Sequence, residues 1–176
     1  IYLNHEEPAV KKLQDYNYNT VVDFATLVEN RDNNTGGHIK RTTAYVSLLV
    51  NALRVRGYHS DLLTKDFINN LKIASPMHDI GKISTPDAIL QKPGKLTDEE
   101  YAIMKQHAAK GSEIIKETFG KRGDSDFIDM AYDVARFHHE KWNGRGYPAG
   151  LKDTEIPLAA RIMAVADVFD AVSQKR

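Results

Sequence analysis

The chain has no cysteine among its 176 residues. Disulfides and thiolate metal sites are therefore excluded, and any metal must be held by histidine and carboxylate. Absence of cysteine also suits a cytoplasmic protein. Net charge is missing too: 24 Lys and Arg balance 24 Asp and Glu. The basic excess of a protein that grips long nucleic acid is not there, although a few local charges can still hold a small anionic substrate. No apolar run approaches the ~18 residues of a membrane span. No signal peptide is visible. No segment alternates as a half-buried strand does, whereas almost every long segment carries helical periodicity. The expectation is an all-α compact bundle of about six to seven helices. At this length a single core buries roughly 70% of the unfolded surface and needs no staples.

Taken in order, the region from about Pro8 to Glu29 carries Val10, Leu13, Val21, Phe24, Leu27 and Val28 at three- and four-residue steps. Its first half is polar, so residues 1–30 are expected to be a leading helix from an upstream regulatory domain, one that can also dimerise. Residues 31–176 are expected to form the functional domain, cut short at its C-terminal end. The breaker cluster Arg31 to His38 separates the two. A helix from His38 to Gly57 follows, with Arg41 one turn after His38 on the same face. Thr64 caps a helix through Phe67, Ile68, Leu71 and Ile73, which Pro76 should kink and Gly81 should end.

A short turn is expected at Asp87 to Leu90. Thr97-Asp98-Glu99-Glu100 is a capping box. The helix it starts is expected to run unbroken through Tyr101, Met104, His107, Ile114 and Ile115 to Phe119, with His107 on the face that Met104 buries. Ser125 should cap a helix that ends in His138-His139. Pro157 opens the last helix, with Leu158, Ile162, Ala166, Phe169 and Val172 expected towards the core. Asp167 and Asp170 stand one turn apart on it.

The stretch Met77-His78-Asp79-Ile80-Gly81-Lys82 organises these pieces. Adjacent His and Asp offer nitrogen and anionic oxygen to a borderline divalent ion such as Zn, Fe, Mn or Ni. An Asp has two oxygens and can bridge two ions. Lys82 adds positive charge for a phosphate, or a proton for a leaving oxygen. His38, His107, His138, His139 and Asp167 come from other helices. Helix bundles build metal sites in this way, and five imidazoles with two carboxylates are enough for two ions. His5 and His59 have no such company. Two imidazoles on an apolar helix end, and an Asp amid Ala164, Val165, Ala166, Val168 and Phe169, are costly to bury without a partner.

The loop Trp142-Asn143-Gly144-Arg145-Gly146-Tyr147-Pro148-Ala149-Gly150 has two readings. Tyr147 can stack on a base or donate its hydroxyl to a phosphate, with charge from Arg145 and Lys141. Alternatively the loop only covers the helix ends, with Trp142 packed in the core.

From Arg31 to Arg176 the chain resembles the HD-GYP family, the branch of the HD metal-dependent phosphohydrolases that degrades cyclic di-GMP. The resemblance rests on Arg31-Asp32-x-x-Thr35-Gly36-x-His38-x-x-Arg41 and on His78-Asp79-Ile80-Gly81-Lys82. It continues in Lys92-Pro93-Gly94-x-Leu96-Thr97 leading to His107, and in His138-His139-Glu140-x-Trp142-x-Gly144-x-Gly146-Tyr147-Pro148. Ile156-Pro157-Leu158-x-Ala160-Arg161-Ile162 up to Asp167-Val168-Phe169-Asp170-Ala171 completes it.

The resemblance implies that His38, His78, Asp79 and Asp167 hold one ion, and that Asp79, His107, His138 and His139 hold the second. It implies roles for Lys82 beside the scissile phosphate, and for Asp170 in supporting the site or accepting a proton. Arg41, Arg145, Tyr147 and Arg176 are the implied substrate contacts. Asn34 stands where some members have a third-metal Glu, so two divalent ions are expected, with Fe, Mn or Ni favoured and Zn, Mg or Ca acceptable in a crystal. The implied reaction is attack by water or hydroxide bridging the two ions on cyclic di-GMP, giving linear pGpG, with a second cut to GMP open to the same site. The alternatives are hydrolysis of cyclic GMP-AMP, pGpG or (p)ppGpp, or a catalytically weak module that binds a cyclic dinucleotide. A diguanylate cyclase domain docking on the Gly-Tyr-Pro loop is the implied protein partner.

Overall fold

The structure, a computed structural model, describes residues 6–32, 37–120 and 125–174, with their side chains except at 6–11, 13–15, 17 and 125. Asn34 and Arg176 lie outside the described residues, as do the side chains of Val10, Leu13 and Ser125. Among the described residues eight α-helices follow one another: α1 (Glu6–Glu29), α2 (His38–Val55), α3 (Lys65–Ala74), α4 (Asp87–Leu90), α5 (Asp98–Met104), α6 (Gln106–Phe119), α7 (Ser125–Phe137) and α8 (Leu158–Ser173). The fourth is a single turn. Among the described residues there is no strand, only an isolated bridge between Asn143 and Lys152. The all-α expectation therefore holds. No described helix is long and apolar enough to cross a membrane.

Local chemistry sets most of these boundaries. The Thr64 hydroxyl accepts the Phe67 amide at 3.1 Å. Thr97 and Glu100 complete the capping box, each side chain accepting the other's amide. At the end of α2, Gly57 takes φ 71, and its amide and that of Tyr58 donate to the carbonyls of Arg54 and Leu53.

Among the described residues the main core cluster draws on α2, α3, α6, α7 and α8, with Val28 of α1 joining it, and a smaller cluster of Val22, Ala25 and Ile39 packs α1 on α2. Val46, Val50, Leu71, Ile115, Val134 and Met163 are the main cluster's most deeply buried side chains. A Leu→Ala change at such a position costs about 2–5 kcal/mol. α2 lies on α8, α3 and α6 lie on α7, and the turn Ile80–Ser84 lies on α6. The starts of α2 and α6, the end of α7 and the middle of α8 thereby meet the His78-Asp79 segment.

Three local expectations are corrected. Pro76 does not kink a continuing helix: α3 stops at Ala74, and 3-10 turns at Ser75–Met77 and Ile80–Ser84 flank the His-Asp pair. Proline has no N–H to extend the ladder, and Gly81 lies inside the second turn instead of ending a helix. The helix through His107 is broken at Lys105 into α5 and α6. The carbonyl of Met104, at that break, accepts from His107 Nδ1 at 2.8 Å. Finally, Phe169 and Val172 are exposed, at 52% and 75%. The inner face of α8 runs through Ala159, Ile162, Met163, Ala166 and Asp170, and Phe169 packs edge-on against Tyr45.

Candidate metal centre

Asp79 occupies the middle of the site, and its two oxygens face different neighbours. Oδ1 lies 3.3 Å from His107 Nε2 and 3.7 Å from His138 Nε2. Oδ2 lies 3.4 Å from His78 Nε2 and 2.8 Å from Lys82 Nζ. On the far side of His78, His38 Nε2 is 3.3 Å from His78 Nε2 and 3.5 Å from Asp167 Oδ1. Two sets of side chains have ligand atoms all within 4.8 Å of one another: Asp79, His107, His138 and His139, and separately His38, His78 and Asp167. The structure thus brings together all seven residues expected as ligands, from five parts of the chain. His59 is exposed, and His5 lies outside the described residues.

Secondary structure decides which imidazole nitrogen is offered. Nδ1 of His78 donates to the Ser75 carbonyl at 2.9 Å, and that of His107 to Met104. Nδ1 of His138 donates to the last-turn carbonyls of Val134 and Ala135, both at 3.0 Å. A carbonyl can only accept, so a proton sits on Nδ1 and Nε2 is the nitrogen turned inward, the one left to a cation in the neutral ring. In His38 a carboxylate plays that part: Nδ1 is 2.8 Å from Asp170 Oδ2. Such outer partners fix tautomer and ring orientation in metal sites.

The donor set fits a divalent ion on grounds internal to the site. His107 Nε2 and His138 Nε2 are buried and have no hydrogen-bond partner, despite their nearness to Asp79. A buried polar atom without a partner is rare and costly. The rings also crowd: His138 and His139 have centroids 4.0 Å apart, and His107 and His139 5.0 Å. A cation among inward lone pairs removes both penalties. No thiolate is present, and imidazole with carboxylate suits Zn, Fe, Mn or Ni.

Charge is distributed unevenly across the site. Burial opposes ionisation of Asp79, yet Lys82 and His78 hold its carboxyl well below the usual range. Burial would likewise depress His78, but Asp79 overrides it and raises the ring to about 9. At His107 burial wins and lowers the ring to about 4. Burial beside His138 and His107 depresses His139 further. Without an ion the His78 ring is therefore held in its charged form, and the His107 and His139 rings in their neutral form.

The other expected residues divide by what they touch. Lys82 Nζ bridges Asp79 and Asp32 Oδ2, each at 2.8 Å, and these charges raise its pKa against burial. Arg41 grips Asp170 with Nε at 2.6 Å and a terminal nitrogen at 3.0 Å, so its fork supports His38 through that carboxylate. Tyr147 covers His139, ring centroids 4.7 Å apart, with Lys105 6.0 Å above the phenol ring. Arg145 is exposed at the loop tip, where its amide donates to Asn143 Oδ1. Trp142 is exposed, against the reading that buried it, and Arg161 stacks on it.

Three participants escaped sequence reasoning. Asp32 holds Lys82, and Arg31 ties the end of α1 to the Ile83 and Thr85 carbonyls and to Asp87. Their place in the Arg31-Asp32 motif was the available sign. The Oε1 atom of buried Glu140 accepts the Ala149 and Gly150 amides at 2.7 and 3.0 Å, pinning the Gly-Tyr-Pro loop. Its position directly after His138-His139 was the sign there.

Comparison with known proteins agrees with this geometry. The sequence model of the HD domain family matches residues 24–176. A protein of Vibrio cholerae serotype O1 named cyclic di-GMP phosphodiesterase is 46% identical over 156 residues, covering 89% of this chain and 32% of that protein. One of Thermotoga maritima with the same name is 39% identical over 163 residues, covering 93% of this chain and 41% of that one. A Vibrio cholerae protein named 3'3'-cGAMP-specific phosphodiesterase 2 is 39% identical over 164 residues, covering 93% and 29%. The chain thus spans about a third of the length of these curated relatives. With the His-Asp pair at the centre of its site and the Gly-Tyr-Pro loop closed over one side, the chain belongs to the HD domain family, in its HD-GYP branch.

Proposed function

We propose that this site hydrolyses a phosphodiester bond of a cyclic dinucleotide, with cyclic di-GMP as substrate and linear pGpG as first product. The observation that carries the reading is the division of Asp79, one oxygen toward His107 and His138 and the other toward His78 and Lys82. The centre would hold two divalent ions, Fe, Mn or Ni, one in each ligand set; when bound, they supply an activated water and neutralise phosphate charge.

The chain's own groups do the rest. Lys82 presents an ammonium at the edge of the site, held there by Asp32, and can stabilise charge that grows on the phosphate. Asp170 keeps the His38 proton on Nδ1, with Arg41 holding Asp170 in turn. Tyr147, Lys105 and exposed Arg145 form the approach on the His139 side, where a base can stack and a phosphate can be held. The exposed edge of the same loop, with Trp142, is the surface we assign to a diguanylate cyclase domain.

The test is turnover by anaerobically prepared, metal-loaded protein, with elemental analysis and product identification. Wild type should cleave cyclic di-GMP, and Asp79→Ala should lose both metal and turnover. Equal rates for the two proteins would sink the proposal. Because relatives named for 3'3'-cGAMP are about as similar as the Thermotoga protein, a competition between the two cyclic dinucleotides decides the preferred substrate.

A further inference from the structure

Glu29 ends α1 and plays no part in the site as described so far. It is 7% exposed, and neither of its carboxylate oxygens has a hydrogen-bond partner. An acid in that state is costly unless something else satisfies it. It lines a small cavity of about 10 Å³, together with His38, Asp79 and Lys82. Ala25, Pro76 and Ile80 wall the same space with apolar surface. That volume takes about one water, and a water there would have the several polar partners it needs. Lys82 donates to Asp32 and Asp79, which uses two of its three N–H bonds.

The charges around Glu29 come from the centre itself. Burial raises the Glu29 carboxyl above its ordinary range in the metal-free protein, and the groups that oppose this, His38, His78, the Ile39 amide and Lys82, lie in or beside the centre. A divalent cation in the His38–His78–Asp167 set would sit close to the Lys82 ammonium, which repels it. A carboxylate across the cavity offsets that repulsion in a place that water cannot screen well.

We infer that Glu29 is a positioning residue for the His38–His78–Asp167 half of the centre: it holds one buried water against Lys82 and supplies negative charge that this half needs to retain a divalent cation. The inference rests on the reading that this half binds such a cation. The rival role is purely structural. Glu29 lies near the Ile39 amide in the first turn of α2, where any carboxylate favours the helix.

Titration of metal-stripped protein with Mn(II), followed by calorimetry, separates the two roles when paired with thermal unfolding in the absence of metal. Glu29→Gln keeps the shape and removes the charge; Glu29→Ala removes both. If Ala at this position does not fold, Gln carries the test. The expected result is a loss of roughly tenfold or more in affinity at one class of Mn(II) site, with the other class kept. The metal-free Tm of the Gln variant should equal or exceed that of wild type. Wild-type affinity at both classes, with or without a lower metal-free Tm, overturns the inference. A wild type that takes up no Mn(II) at all defeats the metal reading itself and this inference with it, so the two failures are distinguishable.

Discussion

Gly81→Ala asks whether the centre depends on how closely the His78–Lys82 segment approaches α6. A Cβ at Gly81 would overlap the His107 carbonyl oxygen and the Gly111 amide, and would lie 2.8 Å from Gly111 Cα. These are backbone atoms, so no side chain can rotate out of the way. Ordinary contact begins at 3.4 Å, so turn and helix must separate by roughly 1.5 Å at the His107 carbonyl, in a tightly packed contact. Overpacking costs about 1–3 kcal/mol. With backbone on both sides we expect the upper end, a fall in Tm of about 6–12 °C for a chain of this size.

The same displacement reaches the site, because Asp79 precedes Gly81 by two residues and His107 Nε2 stands 3.3 Å from its Oδ1. Metal ligands tolerate errors of only about 0.2 Å. Mn(II) affinity at the His107 set should therefore drop along with stability. Gly57→Ala is the control: φ is 71 there and nothing lies within 4 Å of the added Cβ. It should cost about 1–2 kcal/mol of backbone strain and leave Mn(II) affinity unchanged. Thermal unfolding of metal-stripped protein and Mn(II) calorimetry read both effects. A Gly81→Ala protein with wild-type Tm and wild-type affinity would refute the reasoning.

Asp170→Asn leaves His38 Nδ1 without its carboxylate and Arg41 without its partner, and should weaken Mn(II) binding about 10–100-fold; calorimetry showing no change would count against the support role. His78 is raised to about 9 in the metal-free protein, so the ring is protonated at pH 7 and an ion must displace that proton. Mn(II) affinity should then climb about tenfold per pH unit from 7 towards 9, while the ring's contribution to metal-free stability, complete below its unfolded pKa near 6.5, is lost as pH passes 9. Calorimetry in buffers of different ionisation enthalpy should find about one proton released at pH 7. Burial and neighbouring Asp129 raise Asp133 to about 6, so its protonated form favours folding at low pH and that gain is lost as pH rises through 6. Asp133→Asn should stabilise the protein by about 1 kcal/mol at pH 7.5, after discounting for its partial exposure, and should give no gain at pH 4.

The ligand set was legible because its residue types have few other uses. Five imidazoles and two aspartates at helix ends or amid apolar neighbours need partners once buried, and all seven converge. Glu29 was not legible, because a glutamate at the end of a helix is normally solvated. It is desolvated by the packing of α1 against the turns Ser75–Met77 and Ile80–Ser84 and against the start of α2, and desolvation is a tertiary property. The break at Lys105 was hidden for a similar reason. The pattern from Tyr101 to Phe119 reads as one helix, and the kink is visible only once the Met104 carbonyl is seen to hold the His107 ring.

Rotation of α8 shows why hydrophobic pattern alone failed at Phe169 and Val172. Residues 158–172 are apolar nearly all round, so burial by itself barely distinguishes one helical phase from another. Two aspartates break the tie. Asp170 must reach Arg41 and His38, and Asp167 must reach His38. An ion pair left unmade in that buried site costs more than an exposed Phe. The phase that satisfies both acids turns Val168, Phe169 and Val172 outward. The functional site, more than the core, therefore sets the orientation of the last helix.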